Sequence, residues 1–170
     1  DGNDTLMGGA GSDYLNGDSG IDQASYEQAT AGVKVDLLVA SENTGFAEGD
    51  SHVSIEDLLG STFNDTLVGS DEANTLFGIA GNDVLQGRNG DDVLHGGGGS
   101  DTLHGDDGND TLRGGDGNDT LMGGDGSDYL NGDSGIDQAS YEQATAGVKA
   151  KLSNSAVNTG FAAGDSYVSI

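Results

Sequence analysis

Glycine returns at every ninth residue from Gly60 to Gly132, and that fixed interval is what most constrains the fold of this chain. Residues 60–140 divide without remainder into nine consecutive nonapeptides. Position 1 is Gly60, Gly69, Gly78, Gly87, Gly96, Gly105, Gly114, Gly123 and Gly132. Position 4 is Phe63, then Glu72, then Gly81, Gly90, Gly99, Gly108, Gly117, Gly126 and Gly135. Position 6 is Asp65, Asn74, Asp83, Asp92, Asp101, Asp110, Asp119, Asp128 and Asp137, and position 8 is leucine from Leu67 to Leu130, ending in Ala139. Residues 1–25 carry the same pattern, with Asp4, Asp13 and Asp22 at position 6. The chain therefore divides into the end of one block (1–25), a spacer or cap outside the pattern (26–59), a nine-unit block (60–140) and a shortened second copy of the spacer (141–170).

A longer period overlies the short one. Residues 1–55 and 116–170 align at an offset of 115, with 45 of the 55 pairs identical. The differences concentrate between Val35 and Glu42. This is the pattern expected of a segment from a larger tandem array.

Within each nonapeptide, positions 1 to 6 are glycine-rich and polar and read as a turn. Positions 7 to 9, such as Thr120-Leu121-Met122, alternate as a very short strand with only position 8 pointing inward. One leucine in nine residues makes no core unless the leucines stack. A solenoid achieves this, with backbone ladders about 4.8 Å apart closing the hydrogen bonds. In the spacer, Val33–Leu37 alternates as one strand and Val53–Ile55 with Leu58-Leu59 as another, separated by a polar excursion over Asn43–Asp50. These strands are expected to continue or cap the solenoid.

Composition says what such a solenoid lacks. The chain has 30 acidic residues against 5 basic ones, a formal net charge of −25, and 32 glycines. Self-repulsion and glycine's backbone entropy both oppose folding. The absence of cysteine and proline excludes a disulfide scaffold, a thiolate zinc site and collagen. Nucleic acid is excluded as a partner by the shortage of Lys and Arg, and no apolar run is long enough for a membrane span.

The run Gly114-Gly115-Asp116-Gly117-Asn118-Asp119-Thr120-Leu121-Met122 and its neighbours resemble the G-G-x-G-x-D-x-(apolar)-x repeat of the repeats-in-toxin (RTX, haemolysin-type) calcium-binding family, over residues 1–25 and 60–140. The resemblance implies an all-β, right-handed parallel β-roll with two nonapeptides per turn and calcium between stacked loops. It also implies that position-6 aspartates of repeats n and n+2 share an ion, with backbone carbonyls of the glycine turns completing the shell. Carbonyls and carboxylates are hard oxygen donors that suit Ca²⁺ rather than zinc. Two carboxylates about 4 Å apart repel by about 4 kcal/mol at an effective dielectric near 20, and a divalent cation between them reverses the sign.

Pairs 18 residues apart are Asp4–Asp22, Asp83–Asp101, Asp92–Asp110, Asp101–Asp119, Asp110–Asp128 and Asp119–Asp137, giving about six ions. Up to two more are expected at Asp65–Asp83 and Asn74–Asp92, where Phe63 and Glu72 replace the turn glycine. Asp13 finds only Ala31 at that spacing. The carbonyl ligands are expected from Gly78, Gly81, Gly87, Gly90, Gly96, Gly99, Gly105, Gly108, Gly114, Gly117, Gly123, Gly126, Gly132 and Gly135. Asp106, Asp107, Asp116, Asp125 and Asp133 vary in position and read as solvated surface.

No catalytic constellation is found. His52, His95 and His104 have no partner at a fixed spacing, with His95 and His104 expected on opposite sheets. No serine lies in a G-x-S-x-G setting, and no EF-hand loop is present. Ice binding would need a flat row of threonines, whereas position 3 runs Thr62, Asp71, Ala80, Asn89, Gly98, Asp107, Asp116, Asp125 and Ser134. The expected function is a calcium-binding structural or adhesive repeat of a large secreted or surface protein. The alternative is a secretion and folding module of a secreted protease, lipase or polysaccharide epimerase. The resemblance further implies export by the type I secretion machinery of a Gram-negative bacterium, and exposed strand edges at the cut ends invite end-to-end self-association.

Overall fold

The structure, a computed structural model, describes residues 1–148, 150 and 160–170. Among the described residues sixteen strands run in chain order: β1 (Thr5–Leu6), β2 (Tyr14–Asn16), β3 (Gln23–Ser25), β4 (Lys34–Asp36), β5 (Ser51–Val53), β6 (Asp57–Leu59), β7 (Thr66–Val68), β8 (Thr75–Ala80), β9 (Val84–Asn89), β10 (Val93–Gly98), β11 (Thr102–Asp107), β12 (Thr111–Asp116), β13 (Thr120–Asp125), β14 (Tyr129–Ser134), β15 (Gln138–Ala139) and β16 (Ser166–Val168). The only helical turns among the described residues are 3-10, at Ala40–Glu42, Gly45–Ala47 and Gly160–Ala162. None is long and apolar enough to cross a membrane.

Among the described residues every pair of these strands is parallel, as a solenoid requires, and the one antiparallel contact is an isolated bridge between Lys34 and Thr44. One sheet runs β1-β3-β6-β8-β10-β12-β14-β16 and the other β15-β13-β11-β9-β7-β4, with β2-β5 as a separate pair. From β7 onward, successive nonapeptides alternate between the two large sheets, so one turn holds two units. Register confirms the 18-residue turn: Leu94 pairs with Leu76 and Leu112, and Leu103 with Leu85 and Leu121. Leu58, Leu67, Leu76, Leu85, Leu94, Leu103, Leu112, Leu121 and Leu130 are all fully buried between the sheets. Each such side chain withdrawn from water stabilises the roll by about 2 kcal/mol.

The strands are longer than the three residues expected. From β8 to β14 each covers six, through positions 7 to 9 and on through positions 1 to 3 of the next unit. A left-handed residue at position 2 kinks the strand without ending the ladder. Ile79, Arg88, Asp106 and Asp133 occupy that position with φ between 63° and 84°. The register still continues past them, as in Gly97↔Ile79 and Gly98↔Ala80. The turn proper is therefore confined to positions 4 to 6.

The spacer adds layers to the roll. β6 lies between β3 and β8, and β4 closes the six-stranded sheet against β7. Tyr26, Val33, Val35, Ala47 and Ile55 extend the core beneath it. Val53 and Leu58-Leu59, read from sequence as one strand, belong instead to β5 and β6 in different sheets. The pairing Tyr14↔Ser51 recurs 115 residues later as Tyr129↔Ser166. That same step carries β1 and β3 to β13 and β15 on the opposite large sheet. The second copy of the Val35–Glu42 stretch lies largely outside the described residues.

Candidate calcium sites

Position 6 ends the turn, so its side chain folds back under the glycine that opens its own repeat. Asp83, Asp92, Asp101, Asp110, Asp119 and Asp128 are almost wholly buried there. Each uses one oxygen in a ladder that runs along the roll. The N–H of Asp83 donates to Asp101 Oδ1 at 2.8 Å, that of Asp101 to Asp119 Oδ1 at 2.8 Å, and that of Asp119 to Asp137 Oδ1 at 2.9 Å. The alternate column is built likewise, from Asp92 to Asp110 at 2.9 Å and Asp110 to Asp128 at 3.0 Å. The structure thus brings together the five firm pairs of this block, Asp65 and Asn74 extend the ladder by donating their N–H groups to Asp83 and Asp92 Oδ1 at 2.8 Å each, and Asp4 N–H donates to Asp22 Oδ1 at 2.7 Å at the other end.

The second oxygen of the same carboxylates has no partner. Oδ2 is buried and unsatisfied in Asp83, Asp92, Asp101, Asp110, Asp119, Asp128 and Asp137, and again in Asp13 and Asp22. An ionised oxygen buried without a donor is strongly unfavourable. Accordingly, burial pushes Asp83 and Asp92 up to about 7 and Asp101 and Asp110 up to about 6, with neighbouring carboxylates adding to the effect. Burial raises Asp119 as well, and it raises Asp128 with Asp165 next to it reinforcing the shift.

The surrounding glycines define the space these oxygens face. A β-carbon built on Gly78 would lie 2.3 Å from Asp83 Oδ2 and 2.6 Å from the carbonyl oxygen of Gly96. Gly87 and Gly96 repeat this arrangement with the carbonyls of Gly105 and Gly114, and Gly105 does so with that of Gly123. β-Carbons built on Gly114, Gly123 and Gly132 would likewise lie within 2.4 Å of Oδ2 of Asp119, Asp128 and Asp137 respectively. The position-4 glycines Gly81, Gly90, Gly99, Gly108, Gly117, Gly126 and Gly135 all have positive φ. A β-carbon on Gly117 would lie 1.8 Å from the Gly99 carbonyl oxygen, so a side chain there would force the stacked turns apart. Among the described residues no three acidic or histidine side chains converge on one point, so carbonyls must supply much of any cation's shell. Anionic and carbonyl oxygens in a glycine-lined cradle fit a hard cation of calcium's type.

Two expected positions differ. Asp65 is satisfied from within its own repeat, because Ser61 donates its N–H at 2.6 Å and its hydroxyl lies within hydrogen-bond reach of both carboxylate oxygens. Ser70 N–H likewise donates to Asn74 Oδ1 at 2.6 Å, and the Asn74 amide donates to the Glu56 carbonyl. Serine at position 2 fills these loops where Phe63 and Glu72 have displaced the turn glycine.

Sequence spacing also missed three residues. Asp13 does have a partner, at a separation of 37 rather than 18: its N–H donates to Asp50 Oδ1 at 2.8 Å. Asp128 N–H donates to Asp165 Oδ1 at 3.1 Å across the same interval. Asp22 N–H donates to Glu56 Oε2 at 2.8 Å. The available signal was the 115-residue alignment, which keeps Asp50 as Asp165 while Asp36 becomes Lys151. His95 and His104 lie on opposite sheets as expected, with His95 stacked on Phe77 at 4.9 Å.

Stacked glycine turns, a buried carboxylate ladder and two facing parallel sheets define a cation-binding β-roll. The family model of the RTX calcium-binding nonapeptide repeat matches residues 1–24, 59–85, 68–103, 77–112 and 104–139, and the chain belongs to that family. No curated protein matches it.

Proposed function

We propose that this calcium-binding repeat is a non-catalytic segment of a large secreted or cell-surface protein. It folds on calcium after type I export from a Gram-negative cell and acts as a structural or adhesive repeat. The observation that carries the reading is the unbroken row of buried, unpaired Oδ2 atoms from Asp83 to Asp137. Asp83, Asp92, Asp101, Asp110, Asp119, Asp128 and Asp137 would hold the ions, with carbonyls of the glycine turns. Bound calcium supplies the positive charge that these carboxylates lack. The aspartates position one oxygen through the N–H ladder and leave the other aimed inward. The leucine columns then close over a framework whose repulsion has been neutralised.

Coupling between neighbours makes such assembly cooperative. At cytosolic calcium the acidic block from Gly78 to Asp137 stays extended and exportable, whereas the roughly 10⁻⁴–10⁻³ M range of extracellular modules loads it outside. Far-ultraviolet circular dichroism should gain the β signal of the block from Gly78 to Asp137 as calcium is added to the chelated chain, with magnesium ineffective at equal concentration. Full β signal with magnesium alone would overturn the proposal.

A further inference from the structure

We infer that the chain holds a further calcium ion where a nonapeptide loop meets the spacer, between Asp22 and the short loop Ser54–Glu56. Nothing in the 18-residue spacing encodes this site, since 18 residues beyond Asp22 lies Ala40. The inference rests on calcium loading of the regular ladder and extends it to residues outside the motif.

Asp22 is fully buried, and its Oδ1 accepts the Asp4 N–H, while its Oδ2 is buried and unpartnered. That free oxygen faces the spacer. A β-carbon built on Gly17 would lie 2.4 Å from Asp22 Oδ2 and 2.2 Å from the Ser54 carbonyl oxygen. This is the cradle of the regular repeats, with Ser54 in place of the next position-1 glycine. Ser54 takes a left-handed φ of 49°, uncommon for serine, in the turn that presents this carbonyl. Glu56 stands where the next position-6 aspartate would be, because its carboxylate accepts the Asp22 N–H and its own N–H donates to the Asp22 carbonyl.

Gly17 to Ser54 is 37 residues and Asp22 to Glu56 is 34, so the loop is three residues shorter than a nonapeptide turn. Glutamate is one methylene longer than aspartate, which suits the shortened loop. The same cradle recurs in the second copy, where a β-carbon on Gly132 would lie 2.4 Å from Asp137 Oδ2 and 2.3 Å from the Ser169 carbonyl oxygen. The short loop lacks the turn glycine at position 4 and the carbonyls around it. Fewer protein oxygens make this the weakest site, filled last.

The test counts ions on the whole chain by native mass spectrometry at saturating calcium. E56Q should carry one calcium fewer than the wild type, and an unchanged count would overturn the inference. Because E56Q could also perturb folding, the wild-type chain supplies a second readout, the ¹³C carboxylate resonances followed through a calcium titration. The Glu56 signal should move after those of Asp101 and Asp119. A Glu56 signal that stays fixed while the aspartates move would overturn this site alone. If no carboxylate moves, it is the calcium reading of the ladder that fails.

Discussion

Two stretches of this roll solve the same problem in different ways. From Asp83 to Asp137, every position-6 aspartate keeps a buried oxygen without a donor. Between Asp36 and Asn74, the buried groups Asp36, Asp50, Asp65 and Asn74 are satisfied by the protein. Asp65 takes hydrogen bonds from Ser61, Asn74 from Ser70, and Asp50 from the buried Tyr26 hydroxyl at 3.0 Å. Asp36 pairs with Arg88 at 2.7 Å and accepts the N–H groups of Leu38 and Val39. The junction also buries a more varied set of core side chains, Tyr26, Val33, Val35 and Ile55 among them, whereas the regular block buries little more than leucine. One architecture thus carries a segment completed by its own side chains and a segment that needs a cation.

The largest effect expected from this contrast is in hydrogen exchange after chelation. Amides between Gly78 and Asp137 should lose about 100-fold or more of their protection, while those of β4, β6 and β7 retain most of theirs. Uniform loss along the chain would erase the distinction. Next, D101A with D119A should raise the calcium midpoint about tenfold or more, equivalent to about 1.4 kcal/mol, whereas D116A with D125A shifts it less than twofold. Equal shifts, read by circular dichroism titration, would reassign the ligands.

A smaller effect should follow acidification of the chelated chain. The raised values of Asp83 and Asp92 mean that the folded state binds more protons than the unfolded one. Calcium-free stability is then greatest below about pH 4 and falls as pH rises toward about 7. More β signal at pH 5 than at pH 8 in chelator is the expected result, and the opposite order would count against buried, unpaired carboxylates. The smallest effect belongs to S61A, which removes the hydroxyl over Asp65 and should lower calcium-free stability by about 1 kcal/mol in urea unfolding. The same substitution should leave the calcium midpoint almost unchanged.

Much of this architecture was legible because a period in sequence is a contact in space. Leucine at position 8 and aspartate at position 6 repeat every nine residues, so stacking at 18 follows as soon as strands alternate between two sheets. Serine at position 2 was the readable sign that Asp65 and Asn74 are filled from within, but it has meaning only once the loop geometry is known. The strand length was not legible, since the left-handed φ at position 2, which Gly97, Gly115, Gly124, Asp106 and Asp133 all favour, reads from sequence as a turn, and Ile79 and Arg88 adopt it against their preference. The junction was opaque for a related reason. Its pairings at 37 and 34 residues depend on a shortened loop and on Tyr26 filling the space beside Asp50, neither of which leaves a periodic trace.

The central claim is that cations complete the buried ladder. Its most direct test is an anomalous difference map from crystals of the chain grown in millimolar calcium. The account predicts a row of peaks beside the Oδ2 atoms from Asp83 to Asp137 and none within the serine-filled loop of Asp65. An ordered roll with no peak along that row, in ample calcium, would contradict it.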